Sequence, residues 1–176
     1  MTMQIRAAKP SDIDTIGRLM AASIGDLQRD FLTPAEIDSS RAIMGVDTRL
    51  IEDGTYYVAE IDGELAGCGG WSRRRTLYGA DVTTGRDESV LDPAVDAARI
   101  RAMYTHPKHV GKGVARAILA RSEAAARAKG FTRIEFVSTL AGVPLYTACG
   151  YVAGERFADS TGGVPVPLVR MAKQLG

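Results

Sequence analysis

The chain has 176 residues, a length that suits one domain able to bury most of its apolar surface in a single core. Its 22 Lys and Arg residues balance 21 Asp and Glu residues, and the net charge of +1 gives no general attraction to nucleic acid or to anionic membranes. Any site for an anion must therefore be local.

Cysteine and histidine usage favours a reducing compartment without a bound metal. The two cysteines form no CxxC pair, and the two histidines, His106 and His109, have no third ligand nearby in the sequence. No apolar run approaches the ~20 residues needed to span a bilayer. We therefore expect a cytoplasmic protein.

The first forty residues predict a strand followed by two helices. Residues 3–7 alternate apolar and polar side chains, which is typical of a short strand. Pro10-Ser11-Asp12 is a helix start, and apolar residues follow it at helical spacing up to Leu27. Thr33-Pro34-Ala35-Glu36 is a second start, with a Thr cap, proline at the first helical position and Glu three residues after the cap.

A β-hairpin is predicted next. Residues 55–61 are rich in β-formers, Asp62-Gly63 is a strong two-residue turn signal, and residues 64–72 return as the partner strand. Glycines interrupt the returning strand and indicate either tight packing or a close approach of a ligand. They are Gly67, Gly69 and Gly70.

The segment from residue 73 to residue 97 is rich in charge, Gly and Asp. It is too long for an ordinary connection, so we expect a functional loop. Its Arg73-Arg74-Arg75 run is more typical of solvated surface than of a binding site.

A strand, a glycine loop and a long helix follow. Residues 98–105 form an apparent strand, which His106-Pro107 ends because proline cannot donate to a ladder. Residues 110–115 then open a helix whose first N–H groups have no intrahelical partner and whose dipole is positive at that end. Two glycines let a diphosphate approach this backbone, and Lys112 adds a point charge. The segment therefore predicts an anion site.

The spacing separates this loop from two other phosphate-binding loops. A P-loop continues from Gly-Lys into Ser or Thr, whereas Gly111-Lys112-Gly113 lacks that magnesium-holding hydroxyl. The dinucleotide fingerprint needs a third glycine three residues after the second, where this chain has Arg116.

The loop resembles that of the GNAT family of N-acetyltransferases, which reads Gln/Arg-x-x-Gly-x-Gly/Ala after a strand that ends in His-Pro or a similar pair. Gly111, Gly113 and Ala115 match this pattern, while Val110 stands at the usual Arg or Gln position. A second segment, residues 142–151, resembles the family's helix-and-strand segment with its Tyr and Gly-Phe/Tyr. Because both motifs occur in the family's order and separation, the chain is identified as a member of this family.

The resemblance implies an α+β fold. It is a GNAT-like mixed central sheet of six to seven strands flanked by about four helices, with splayed middle strands between which the pantetheine arm lies. We expect one such domain over residues 1–176. The helix pair after the first strand then borders the acceptor groove through Ile24, Leu27 and Phe31, although simple core packing explains Ile24 and Leu27 equally well.

The resemblance also implies a site for acetyl-CoA as cosubstrate, without a metal. Its diphosphate is expected on the loop amides and its pantetheine amides on the edge of the preceding strand. A main-chain N–H near Met103 or Tyr104 is the expected oxyanion donor, worth ~3 kcal/mol. The expected cofactor-binding residues are Met103, Tyr104, Thr105, Val110, Gly111, Lys112, Gly113, Val114, Ala115, Thr139 and Tyr146.

The resemblance makes Tyr146 the expected general acid for the departing thiolate, with packing against the cofactor as the alternative. The strand before the loop lacks the Glu that many members use as base, so we expect deprotonation through water. Asp96 and Glu60 are the candidate bases, with ordinary surface or paired roles as the alternative. Arg99 or Arg101, if directed into the groove, would suit an acceptor with a carboxylate.

We therefore expect an N-acetyltransferase that transfers acetyl from acetyl-CoA to a primary amine of a small molecule or peptide by direct attack in a ternary complex. The expected partners are acetyl-CoA and the amine, without nucleic acid or membrane, and a homodimer is a candidate assembly. The main alternative is a catalytically weak or inactive acyl-CoA-binding sensor or interaction module. A magnesium-dependent P-loop nucleotide binder is a further alternative.

Overall fold

The computed structural model describes residues 1–176 and contains seven β-strands and five α-helices. In chain order these are β1 (Met3–Ala7), α1 (Ile13–Leu27), α2 (Pro34–Ser40), α3 (Thr48–Glu52), β2 (Tyr56–Ile61), β3 (Glu64–Ser72), β4 (Arg99–Thr105), α4 (Val114–Ala128), β5 (Arg133–Thr139), α5 (Val143–Ala148), β6 (Val152–Asp159) and β7 (Val166–Gln174). Short 3-10 turns lie at Pro10–Asp12, Pro107–His109 and Leu140–Gly142. No helix is both long and apolar enough to cross a membrane.

Local sequence signals set several element boundaries. The Thr33 hydroxyl accepts from the Glu36 N–H at 3.2 Å, and the Glu36 carboxylate accepts from the Thr33 N–H at 2.8 Å, which forms the predicted capping box of α2. Asp62 and Gly63 have φ angles of 49° and 85°, so both adopt the left-handed conformation that a type I′ hairpin turn requires. The five-residue α3 was not predicted, because it is too short to produce a periodic pattern.

The seven strands form two antiparallel sheets, in the orders β1-β2-β3-β4 and β5-β7-β6. A parallel bridge between Ala98 and Ile134 joins the sheets, after which β4 and β5 diverge. The predicted α+β fold with splayed middle strands is confirmed. The predicted sheet of six to seven strands is present as a four-stranded and a three-stranded sheet, and the parallel bridge between them makes the whole mixed.

Helix α4 packs closely on β3 because glycine occupies the facing positions of that strand. A Cβ at Gly67 would collide with the Val114 side chain, and one at Gly69 would collide with the Met103 sulfur. A Cβ at Gly70 would collide with the backbone at the start of β2. Tight packing therefore explains these glycines, and it seats the first turn of α4 against the sheet.

Two large apolar clusters form the core. One joins α1 to the first sheet and contains Ile16, Met20 and Val58. The other joins the second sheet to β3 and contains Trp71 and Ile134. Residues of both clusters border a cavity where the sheets diverge.

Ion pairs hold residues 73–97 against the rest of the protein. The Arg74 guanidinium donates to both oxygens of Asp53 at 2.7 and 2.9 Å, and 18% of its side chain is exposed. The prediction of solvated surface is therefore wrong for Arg74, because its carboxylate partner lies 21 residues earlier in the chain. Arg75, with 48% of its side chain exposed, agrees with the prediction.

Candidate functional site

The cavity has a volume of about 670 Å³ and opens where β4 and β5 diverge. Residues 100–105 of β4 and 136–139 of β5 line it. The loop before α4 borders the cavity beyond the Thr105 end of β4. Residues 77–79 border it near Arg101, which donates to the Gly79 carbonyl at 3.0 Å. The cavity thus has a loop end and an Arg101 end.

The loop end presents a row of unpaired backbone donors. None of the N–H groups of residues 110–116 donates a hydrogen bond within the protein, as expected for a loop that leads into a helix. Gly111 and Gly113 both have φ of 79°, which glycine adopts without the strain of a Cβ. With the positive end of the α4 dipole, these donors can hold a phosphate or diphosphate.

Lys112 is exposed and does not line the cavity, unlike the other loop residues from 110 to 116. Its ammonium lies 3.2 Å from Nδ1 of His109, and Nε2 of His109 lies 3.6 Å from the Glu64 carboxylate. Nδ1 of His106 accepts from the Lys108 N–H at 3.1 Å and caps the turn after β4. No group of three or more His, Cys, Asp or Glu side chains is arranged to hold a metal.

Strand β4 carries a bulge at the middle of the cavity wall. Ala102 has a φ of 51°, and the β3–β4 pairing shifts between Cys68 and Gly70. The Tyr56 hydroxyl donates to the Ala102 carbonyl at 2.6 Å and holds the bulge in place. Because no ladder joins β4 to β5 past the Ala98 bridge, this edge of β4 can pair with an extended ligand.

Tyr146 lies on α5, lines the cavity and makes no hydrogen bond to the protein through its hydroxyl. Its ring packs edge-on against Phe136 at 4.6 Å between centroids. A Cβ at Gly142 would approach the Tyr146 ring to 2.9 Å, so glycine makes room for it. Burial raises the pKa of Tyr146 well above the ordinary tyrosine value, so the hydroxyl remains protonated and can donate.

The two candidate bases do not line the cavity. The Glu60 carboxylate accepts from Nε of Arg6 at 2.7 Å on the β1 side of the first sheet. The Asp96 carboxylate accepts from the Asp92 N–H at 2.9 Å, ahead of β4. No Asp or Glu side chain lines the cavity, so the structure brings neither candidate together with Tyr146.

Neither arginine of β4 offers a free guanidinium to a ligand. Arg101 lines the cavity, but it pairs with the Asp47 carboxylate at 2.7 Å and donates to the Gly79 carbonyl. Arg99 does not line the cavity; it donates to the Ala97 carbonyl at 3.1 Å and lies 3.8 Å from Glu135.

Residues from several distant elements complete the Arg101 end. Ile24 and Leu27 line the cavity, whereas Phe31 does not and has 46% of its surface exposed. The sequence analysis missed Gln28 and Tyr78. Gln28 could have been found, because it follows Ile24 by four residues and so places a polar group on the apolar face of α1. Tyr78 lies in residues 73–97, which the sequence analysis predicted to be a functional loop, but no periodicity marked this residue within the segment.

The structure is similar to several solved structures described as acetyltransferases. The GCN5-related N-acetyltransferase of Rhodopseudomonas palustris matches with a TM-score of 0.73 at 21% identity, over 99% of this chain and 98% of that one. yncA of Salmonella typhimurium, solved with its cofactor acetyl-CoA, matches with a TM-score of 0.67 at 21% identity over 100% and 95%. The PaiA N-acetyltransferase of Thermoplasma acidophilum, in complex with coenzyme A, matches with a TM-score of 0.65 at 14% identity over 99% of each chain.

These identities are low, so the structural likeness shows a shared fold. No curated protein sequence matches the chain significantly. A sequence profile of the acetyltransferase (GNAT) family matches residues 22–151, a span that includes the glycine loop and Tyr146. The chain therefore belongs to the GNAT family of acetyltransferases.

Proposed function

We propose that the protein is an N-acetyltransferase that transfers the acetyl group of acetyl-CoA to a primary amine of a small molecule or peptide, by direct attack in a ternary complex. One observation carries the proposal: a single cavity contains both the unpaired N–H groups of the glycine loop and the protonated Tyr146 hydroxyl. Similar structures solved with coenzyme A or acetyl-CoA support the choice of cosubstrate.

The chain's residues divide the binding of acetyl-CoA between two elements. The N–H groups of Val110 to Ala115 bind the diphosphate, because oriented donors at a helix start offset the loss of its hydration. Lys112 adds charge at the outer face of the loop. The free edge of β4 at Met103, Tyr104 and Thr105 pairs with the pantetheine amides, with Thr139 on the facing strand β5.

Two groups act on the charge that develops during transfer. Acetyl-CoA supplies an activated acyl group on a thiol leaving group. A main-chain N–H near Met103 or Tyr104 stabilises the negative charge on the carbonyl oxygen, an effect worth about 3 kcal/mol. The Tyr146 hydroxyl gives its proton to the departing sulfur.

The amine loses its proton to water in this proposal. Asp96 and Glu60 have no role in it, because each has a protein partner and neither lines the cavity. The pKa of an alkylammonium group lies near that of a lysine side chain, about 10.4, so the neutral nucleophile is scarce at neutral pH. The rate should therefore rise with pH as more amine becomes neutral.

The proposal includes a single domain over residues 1–176. Strand β1, which precedes the family match, pairs with β2, and β7, which follows the match, pairs with β5. These pairings support one folding unit that extends beyond the matched residues on both sides.

Incubation of the protein with acetyl-CoA and a panel of primary amines, with thiol release as the signal, tests the proposal. We expect amine-dependent thiol release and a stoichiometric acetylated product. The absence of carboxylates from the cavity favours one alternative, a sensor that binds acyl-CoA without turnover. If calorimetry shows that acetyl-CoA binds but no amine in the panel causes release of the coenzyme A thiol, the result would support the sensor and contradict the enzyme.

A further inference from the structure

Gln28 carries a buried hydrogen-bond acceptor without a partner. The residue is 3% exposed and lines the cavity, and no protein group donates to its Oε1. Its Nε2 lies 3.4 Å from both the Ile24 carbonyl and the Ser40 hydroxyl oxygen. The Ser40 hydroxyl already donates to the Ile37 carbonyl at 2.6 Å, so both neighbours of Nε2 are acceptors. These contacts favour the orientation in which Nε2 faces the two acceptors, and Oε1 then has no donor in the protein.

An unpaired buried acceptor destabilises a folded protein unless a ligand or an ordered water supplies the donor. Tyr78 adds a second acceptor to the same cavity. Its hydroxyl donates to the Asp159 carboxylate at 2.7 Å, which leaves the oxygen lone pairs free to accept. Burial and this carboxylate raise the pKa of Tyr78 to about 12, so the hydroxyl remains protonated. The two acceptor oxygens, Gln28 Oε1 and the Tyr78 hydroxyl oxygen, therefore suit a ligand with N–H donors.

Apolar side chains surround these acceptors. Ile24, Ile43 and Leu168 line the cavity and belong to the same core cluster, which Tyr78 also contacts. The one cation at this end, Arg101, is engaged by Asp47 and by the Gly79 carbonyl. A carboxylate or phosphate on the ligand would therefore enter an apolar region without a free positive partner, at a large desolvation cost.

We propose that the amine acceptor is a primary amine on an apolar alkyl or arylalkyl body without a carboxylate, and that Gln28 Oε1 accepts a hydrogen bond from its nitrogen. This inference rests on the function proposed above. The amine nitrogen forms a bond to the acetyl carbon while the carbon–sulfur bond breaks. The sulfur receives the Tyr146 proton, and water receives the proton lost by the nitrogen.

Two matched pairs of amines test the substrate class in the unmodified protein. 2-Phenylethylamine and free phenylalanine differ by one carboxylate, and hexylamine and 1,6-diaminohexane differ by a second ammonium group. We expect kcat/KM to favour the apolar member of each pair by at least about tenfold. The other member of each pair would bury a charged group that has no opposite charge beside it. Equal or faster turnover of the charged members would overturn the inference and leave the acetyltransferase proposal intact.

Calorimetry with acetyl-CoA distinguishes a failure of the proposed function from a failure of the proposed substrate class. If acetyl-CoA does not bind, the proposed function fails and this inference fails with it. If acetyl-CoA binds but neither apolar amine is acetylated, the substrate class assigned here is wrong.

The variant Gln28→Leu tests the role of the acceptor itself. We expect the KM for 2-phenylethylamine to rise about tenfold through loss of one hydrogen bond, while the KM for acetyl-CoA stays unchanged. We expect no fall in Tm, since Oε1 has no protein partner and the two Nε2 contacts, at 3.4 Å, are long and weak. Gln4→Leu makes the same chemical change at an exposed position on β1 outside the cavity and should leave both KM values unchanged.

A fall in Tm for Gln28→Leu without a change in amine KM would assign Gln28 a structural role and overturn its part in recognition.

Discussion

Arg101 and Asp47 form an ion pair in the protein core, with Nη2 and Oδ2 2.7 Å apart and 4% and 1% of their side chains exposed. The same carboxylate lies 2.9 Å from Arg86, so it connects β4 to residues 73–97. Burial lowers the pKa of Arg101, and the negative charge of Asp47 opposes that shift. One carboxylate thus holds a wall of the cavity and its flanking segment together.

Replacement of Asp47 with Asn should destabilise the protein strongly. Two guanidinium groups would remain in the interior without their carboxylate, which typically costs about 3–5 kcal/mol in the free energy of unfolding. Urea denaturation measures this loss. Asp26→Asn removes a carboxylate whose pair with Arg29 is exposed, and it should cost less than about 1 kcal/mol. Equal losses for the two variants would contradict the structural role of Asp47.

The variant Tyr146→Phe should lower kcat about tenfold, a modest general-acid effect because a thiolate is already a tolerable leaving group. Its KM for acetyl-CoA should stay unchanged. Tyr151→Phe is the control, since the Tyr151 hydroxyl donates to Glu123 at 3.0 Å and does not line the cavity. Steady-state kinetics gives kcat and the KM for acetyl-CoA of both variants, and kcat should fall for Tyr146→Phe only. An unchanged kcat for Tyr146→Phe would assign Tyr146 a packing role, because Phe keeps the ring and removes only the hydroxyl.

The pH dependence of kcat should reflect the raised pKa of Tyr146. An ordinary tyrosine with a pKa of 10.0 would begin to lose its proton above pH ~9, and the rate would fall there if the hydroxyl is the acid. Because burial holds this pKa well above the ordinary value, the proton is retained and kcat should show no falling limb up to pH ~10. A decline in kcat between about pH 9 and 10 that is absent from Tyr146→Phe would contradict this.

Gly113→Ala should weaken acetyl-CoA binding about tenfold, or ~1.4 kcal/mol, because the new Cβ changes the loop that presents the amides. Gly85→Ala is a matched control. Gly113 and Gly85 have φ of 79° and 73°, and no atom lies within 4 Å of the added Cβ at either site. Both variants should lose about 1–2 kcal/mol of stability through left-handed strain. Calorimetry should show weaker acetyl-CoA binding for Gly113→Ala and unchanged binding for Gly85→Ala. Equal weakening in both variants would show that backbone strain, and not the glycine loop, causes the effect.

Tyr56→Phe should lower kcat several-fold without a change in the KM for acetyl-CoA. The hydroxyl holds the Ala102 carbonyl at 2.6 Å, and its loss frees the bulge that positions the next N–H groups of β4. A buried carbonyl left without a donor costs about 1–3 kcal/mol, which denaturant unfolding measures. An unchanged kcat with reduced stability would show that the bulge has no influence on transfer.

The sequence was informative where the physical signal was local. The Thr33–Glu36 capping box, the Asp62-Gly63 turn and the glycine loop each depend on residues within four positions of one another. Such signals come from backbone geometry and nearby hydrogen bonds, so they can be recognised without knowledge of the fold.

Long-range contacts could not be predicted in this way. Arg101 pairs with a carboxylate 54 residues earlier, and Tyr78 donates to a carboxylate 81 residues later. The Arg101 end of the cavity is built from such contacts, and the partners of each strand also depend on them. The hypothesis that Arg101 binds a substrate carboxylate could be tested only once Asp47 was seen beside it.

The most direct test of the central claim, that the glycine loop binds the diphosphate of acetyl-CoA, is amide hydrogen exchange at residues 110–116 by NMR. These N–H groups have no acceptor in the protein, so we expect fast exchange in the free protein and slow exchange with saturating acetyl-CoA. S-Acetylpantetheine, which lacks the diphosphate, should leave them fast. Unchanged exchange at these amides when acetyl-CoA is bound would contradict the account.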